Sequence, residues 1–157
     1  MEIKQIKNEL VLTSILNETT ALADLVTSFE SAAKEGPAVV LNFEGLKRAN
    51  SCGIATLIRA IEKAHTPVHF TRCPVWLVEQ LNQIDEFFTL HVKILSVFAP
   101  YIEEKTKNYI LKLIDIDPDF LNHETIQSLD QCTDEQGNKL IADFDPADFF
   151  GFLSRDS

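Results

Sequence analysis

Residues 37–53 constrain the fold more than any other part of the chain. The stretch begins with an apolar run rich in β-branched residues and ends in Asn50-Ser51-Cys52-Gly53, directly before a pattern with the 3.6-residue period of a helix. This order predicts a strand, a short connection and a helix that starts at Ser51. Unpaired N–H groups and the helix dipole meet at such a helix start, where open α/β sheets place functional loops. Ser51 is therefore the first candidate functional residue.

The patterns on either side of this stretch predict an α/β chain. Two short strands that break at a Lys7-Asn8 turn precede an amphipathic helix, which Thr19 or Thr20 can cap. Strands and helices then alternate, which implies parallel pairing. We expect a mixed sheet of four to six strands with helices packed on it. The later predicted strands cover residues 38–43, 68–70, 91–98 and 109–114, and the predicted helices start near Thr20, Ser51 and Pro74.

Composition excludes several classes of protein. The net charge of −10 argues against nucleic acid as a partner, because phosphate neutralisation needs clustered Lys and Arg. No apolar run reaches the roughly 18 residues that a membrane span needs, and the chain starts directly in charged residues, so we expect a cytoplasmic protein. The three cysteines lack Cys-x-x-Cys spacing, and Thr66-Pro67 ends the predicted helix between His65 and His69, so these two histidines do not share a helix face; we expect neither a metal site nor a cofactor.

Charge is distributed unevenly along the chain. Residues 1–116 hold 14 acidic and 12 basic side chains, whereas residues 117–157 hold 10 acidic and 2 basic, a net charge of −8. The same segment carries large apolar side chains that are too hydrophobic for a freely solvated tail, so we expect something to cover them. These side chains are Phe120, Phe144, Phe149, Phe150, Phe152 and Leu153.

The sequence VVLNFEGLKRANSCGIATLIRAI resembles the central motif of the STAS domains, the fold of bacterial anti-sigma factor antagonists. In that family a strand leads to Asp-Ser-Ser/Thr-Gly-Ile/Leu at a helix start, and a partner kinase phosphorylates the first Ser. Ser51 matches that position, which makes it the candidate phosphorylation site. Asn50 replaces the usual Asp and Cys52 replaces Ser or Thr. The resemblance reaches about residue 98 and implies a STAS-like domain over residues 1–99.

Residues 100–157 are predicted to form a small acidic C-terminal extension with an aromatic docking segment. A variant branch of the STAS family carries a four-cysteine zinc ribbon here, introduced by a pair like Pro100-Tyr101. In this chain Ile102 and Lys105 take two ligand positions, and Glu135 follows Cys132 by three residues. The resemblance therefore implies a degenerate ribbon without its metal.

Three functions are compatible with this sequence. The first is a non-catalytic regulatory or adaptor domain whose protein partner, a regulatory kinase or anti-sigma-like factor, binds the loop of residues 47–53 and the following helix. The second is a structural or oligomerisation module in which Ser51 only caps a helix; a homodimer is left open. The third is a thiol enzyme built on Cys52, although a buried small side chain is the preferred interpretation of that cysteine. The candidate partner-binding residues are Lys47, Arg48, Asn50, Ser51, Cys52 and Gly53.

Overall fold

The computed structural model describes residues 1–90, 92–117 and 122–155. The first sheet contains β1 (Glu2–Ile6), β2 (Glu9–Leu16), β3 (Val39–Ala49), β4 (Val68–Thr71) and β5 (Lys93–Ile94). These strands lie side by side in chain order; β1 and β2 are antiparallel, and the other neighbours are parallel. The predicted α/β class is confirmed, with five strands in a mixed sheet.

The helices are α1 (Leu22–Ala33), α2 (Ser51–Lys63), α3 (Val75–Gln83), α4 (Glu86–Thr89), α5 (His123–Gln127) and α6 (Pro146–Phe149). Of these, α1 and α2 pack their apolar stripes against this sheet. In α2 the buried positions Gly53, Ile54, Leu57, Ala60 and Ile61 recur every three or four residues, as a helix with one inward face requires.

The predicted cap of α1 is wrong. The N-cap is Ala21, which offers no side-chain acceptor. Thr20 Oγ1 instead accepts a hydrogen bond from the Asn17 N–H at 3.2 Å, inside the turn that precedes the helix. The threonine hydroxyl therefore stabilises the turn rather than the helix end.

A second sheet is antiparallel throughout. It contains β6 (Ser96–Glu103), β7 (Tyr109–Asp115), β8 (Gln131–Thr133) and β9 (Lys139–Ala142), in the order β7-β6-β9-β8. The strand predicted at residues 91–98 is wrong as one element, since β5 ends at Ile94 in the first sheet and β6 begins at Ser96 in the second. Residue 91, its predicted start, lies outside the described residues. The division at residues 99 and 100 stays a prediction, and β6 runs across it.

The two sheets are joined at Cys73. Its N–H donates to Ser96 O at 3.1 Å, and its carbonyl accepts from Phe98 N–H at 2.8 Å. Burial raises the pKa of the Cys73 thiol, which is completely enclosed. The apolar side chains on both sides of this junction belong to one continuous core.

The aromatic segment near the C-terminus packs on its own chain. Phe149, Phe150, Phe152 and Leu153 are all buried, and Asn82 Nδ2 of α3 donates to Phe149 O at 3.0 Å. The predicted burial of this segment is confirmed, while Phe120 lies outside the described residues. The segment forms α6 followed by a 3₁₀ turn at Gly151–Arg155.

Candidate functional site

The candidate partner-binding residues occupy the end of β3 and the first turn of α2. Lys47 and Arg48 are exposed residues of β3 itself, which ends at Ala49. The expected loop of residues 47–53 is therefore wrong as a structural description. The strand continues because β2 runs beside it, pairing Ile15 with Arg48 after two register shifts.

Asn50 is the N-cap of α2. Its backbone is extended, with φ −103° and ψ 176°, and its Oδ1 accepts a hydrogen bond from the Gly53 N–H at 2.9 Å. An Asx side chain at this position satisfies one of the donors that every helix start leaves unpaired. Ser51 is the first helical residue, as predicted, and it does not supply the cap, which counts against the alternative in which Ser51 only caps a helix.

A second loop meets the cap from the end of β2. Asn50 Nδ2 donates to Glu18 Oε2 at 2.6 Å, and the Asn50 N–H donates to Leu16 O at 3.1 Å. Hydrogen bonds from the Glu18 N–H and then from Asn50 hold the pKa of the Glu18 carboxyl below its usual value. The turn is closed by Asn17 Oδ1, which accepts from Thr19 N–H at 3.0 Å.

Glu18 was missed by the sequence analysis. A detectable signal was present, because Glu18 lies shortly after the second predicted strand and the alternation of strands and helices implies parallel pairing. Carboxyl ends of adjacent parallel strands lie at the same edge, which brings their following loops together. Applying that rule to β2 as well as to β3 would have placed Glu18 near Asn50.

Gly53 lets α2 start close to the end of β2. A Cβ built at Gly53 would clash with Leu16 O and lie 2.7 Å from Asn17 N. Only glycine permits this approach without a shift of the backbone. Because Gly53 is buried, it shapes the surface around Ser51 rather than forming part of it.

Ser51 and Cys52 both face solvent. The Ser51 hydroxyl has no hydrogen-bond partner among the described residues, and the helix cap is already supplied by Asn50. Cys52 is exposed, so the expectation of a buried small side chain is wrong. Within the described part of the chain, no His, Asp or Glu side chain hydrogen-bonds the Cys52 thiol, which leaves it without an oriented base.

A cavity of about 650 Å³ lies away from this edge. It sits between the C-terminal halves of α1 and α2, with Phe29, Val39 and Ala60 among its lining residues. Ser51 and Cys52 do not line it. The candidate site is thus an exposed surface apart from this cavity.

The two turns of the proposed degenerate ribbon are closed by protein side chains. Asp134 Oδ1 accepts from the N–H groups of Gln136 and Asn138 at 2.9 and 2.8 Å, and Thr106 Oγ1 donates to Glu103 Oε2 at 2.5 Å. The bonds from Asn138 hold the pKa of the Asp134 carboxyl low. Across the described residues, no group of three or more His, Cys, Asp or Glu side chains is placed to hold a metal ion.

Comparison with known proteins returns little similarity. No family model and no curated protein matches the chain. Among solved structures, it is similar to the unphosphorylated form of the anti-sigma factor antagonist SpoIIAA, at 17% sequence identity and a TM-score of 0.31. That likeness covers 45% of this chain and 70% of the other, and a TM-score at this level carries no argument about function. In the described part of the chain, no helix has the length and apolar character needed to cross a membrane.

Proposed function

We propose that this chain is a non-catalytic regulatory or adaptor domain of the bacterial cytoplasm. It binds a protein partner through the exposed surface of Lys47, Arg48, Ser51 and Cys52, with Asn50 and Gly53 fixing the shape of that surface. Phosphorylation of Ser51 by a regulatory kinase switches the binding. The proposal draws on the resemblance of residues 39–61 to the STAS motif.

One observation carries the proposal, namely the free Ser51 hydroxyl at the first position of α2. Asn50 already satisfies the N-cap, so the fold does not use the Ser51 side chain. A kinase could modify this hydroxyl without breaking a hydrogen bond among the described residues. A serine used as a cap would lack that freedom.

The charge of a phosphate explains how such a switch would work. It adds about −1.5 to −2 charges at pH 7, and the dipole of α2 tolerates them at its N-terminus. Glu18 already places a carboxylate beside Asn50, so phosphorylation would concentrate negative charge at one corner of the surface. A partner that desolvates this corner would be repelled while the fold stays intact.

Two other functions make different predictions. A purely structural module would bind its partner or its second copy regardless of charge at Ser51. A thiol enzyme would need Cys52 in a site with a base and a substrate cavity, and the exposed, unpaired thiol does not favour that function. Intact mass spectrometry of the native protein distinguishes the three through phosphate at Ser51, a dimer mass or oxidised Cys52.

The direct test is a pull-down of the native partner by wild type, Ser51→Asp and Ser51→Ala. Ser51→Asp is expected to weaken binding by about 1–2 kcal/mol, since the partner must desolvate the new charge. Ser51→Ala should keep binding and cannot be phosphorylated. Ser31→Asp is a matched control, because Ser31 is an exposed serine on α1.

The proposal fails if Ser51→Asp captures as much partner as wild type. It also fails if Ser31→Asp weakens capture to the same extent, since the loss would then reflect net charge rather than position. Thermal melts of each variant exclude loss of fold as the cause.

A further inference from the structure

The outer face of the second sheet carries a row of exposed apolar side chains. Tyr109, Leu111 and Ile141 are 59%, 49% and 39% exposed. Ile102 of β6 pairs with Tyr109 on one side and with Ile141 on the other. The side chains of Tyr109, Ile102 and Ile141 therefore lie in one row across the sheet. Large apolar side chains grouped in this way indicate an interaction surface.

This face ends at β7, an edge strand. Among the described residues, β7 pairs with β6 and with no other strand. Asn108 O accepts from Glu103 N–H on the β6 side, and Ile116 N–H donates to Leu95 O on the same side. Because backbone groups alternate along a strand, the N–H and C=O groups of Tyr109, Leu111 and Leu113 point away from β6. An outward row of this kind can pair with another strand.

The two ends of β7 carry opposite charge. Lys105 and Lys107 precede the strand, and Asp115 ends it. Lys107 and Asp115 are both exposed. If two copies of β7 pair antiparallel, the basic end of each lies beside the acidic end of the other. The strand is therefore complementary to itself in both backbone and charge.

We propose that the chain forms a two-fold homodimer in which β7 pairs antiparallel with β7 of a second copy, centred on Leu111. This register places Tyr109 opposite Leu113 of the second copy, and it brings Lys107, in the turn before β7, near Asp115 of the second copy. The two second sheets become one continuous eight-stranded sheet. The apolar side chains of both outer faces then form one surface across the two-fold axis, and the interface lies apart from Ser51.

A register centred on Leu111 also avoids contact between like charges. Lys112 Nζ reaches across the inner face to Thr133 O at 3.4 Å, so the lysine in the middle of the strand is directed away from the outer face. The outer-face pairs are then apolar, and oppositely charged side chains lie at both ends of the paired strands. Opposite charges placed across strands favour pairing, whereas like charges oppose it.

Sedimentation equilibrium of the full chain from about 1 to 200 μM tests the dimer, with dissociation constants fitted for each variant. Leu111→Lys is expected to give a monomer, because lysine on an edge strand prevents pairing. Ile6→Lys is the matched control. Ile6 is 50% exposed on β1, the edge strand of the first sheet, and its replacement should leave the dimer unchanged.

Charge reversal tests the register. Lys107→Glu and Asp115→Lys should each weaken dimerisation about two- to thirtyfold, because two-fold symmetry doubles the loss of one exposed ion pair. The double variant exchanges the two charges and should return to within about threefold of wild type.

Three results would overturn the proposal. One is a monomeric wild type across the concentration range. Another is a dimer that survives Leu111→Lys or is lost in Ile6→Lys. The third is a double variant that dimerises no more tightly than the two single variants. That result would mean that Lys107 and Asp115 of the two copies do not lie close together.

Discussion

The Asn50 side chain makes two hydrogen bonds that hold the candidate site together. Its Oδ1 caps α2 and its Nδ2 binds Glu18, so one amide joins the loops after β2 and β3. Asn50→Ala should cost about 1–2 kcal/mol of unfolding free energy, whereas Ser51→Ala should cost little. Urea unfolding of both variants checks this. Equal losses would mean that Ser51 supports the helix start after all.

The amide at residue 50 suits its position beside Glu18 better than an aspartate would. Asp caps a helix as well as Asn does, but Asn50→Asp would set a second carboxylate at hydrogen-bond distance from Glu18. The variant should be less stable than wild type at pH 7, and the difference should shrink as the pH falls and one carboxyl takes a proton. Unfolding curves recorded between about pH 4 and about pH 8 measure this difference in stability.

Adding Glu18→Gln to Asn50→Asp is the matched control. The glutamine amide can donate to the new carboxylate, so the double variant should recover stability at pH 7. In wild type, a fall in pH has the opposite effect on stability. The pKa of Glu18 is lowered by folding, so its stabilising contribution is present at neutral pH and is lost as the pH falls through that value. If Asn50→Asp matched wild type at every pH, repulsion between the two carboxylates would be excluded.

At the scale of single elements, hydrophobic periodicity predicted the buried faces of helices, whereas residue types at the ends of elements predicted their boundaries less well. The inward stripe of α2 followed from Ile54, Leu57 and Ile61. The same stripe places Cys52 outside, since it lies two residues from Ile54, so its exposure could have been predicted. The length of β3 could not, because it depends on the bulges of β2, where Ser14 has φ 77°. Tertiary pairing decides such strand ends.

The hairpin turns of the second sheet should form without metal. Ile102 and Lys105 offer no ligand at two of the four ribbon positions, while Asp134 closes one turn through backbone N–H groups. We expect less than about 0.1 zinc per chain by elemental analysis of protein purified without chelator. About one zinc per chain would contradict the metal-less ribbon.

At the scale of the whole molecule, the residues after Asp143 are part of the hydrophobic core and do not form a free tail. Phe149, Phe150, Phe152 and Leu153 are buried, and Phe144 stacks edge-on against Tyr101 with ring centres 5.4 Å apart. The segment keeps its acidic residues Asp145 and Asp148 exposed, so repulsion is screened by solvent while the rings are buried. This separation lets a strongly acidic segment pack on an acidic protein.

Truncation after Asp143 should therefore destabilise the entire chain. Each of the four buried side chains favours burial by about 1.5–3 kcal/mol, a sum comparable with the ~5–15 kcal/mol stability of a typical domain. The truncated protein is expected to melt at a clearly lower temperature, bind a hydrophobic dye and aggregate, because α3 loses its cover.

Phe152→Ala provides a graded version that keeps the chain full length. Phe152 is fully buried, so its loss should cost about 3–5 kcal/mol, whereas the exposed Ser154→Ala should cost little. Thermal melts of these variants and amide exchange at residues 149–153 measure the effect. A truncated protein that melts like wild type and stays soluble, together with unprotected amides in the full chain, would mean that the segment does not stabilise the core.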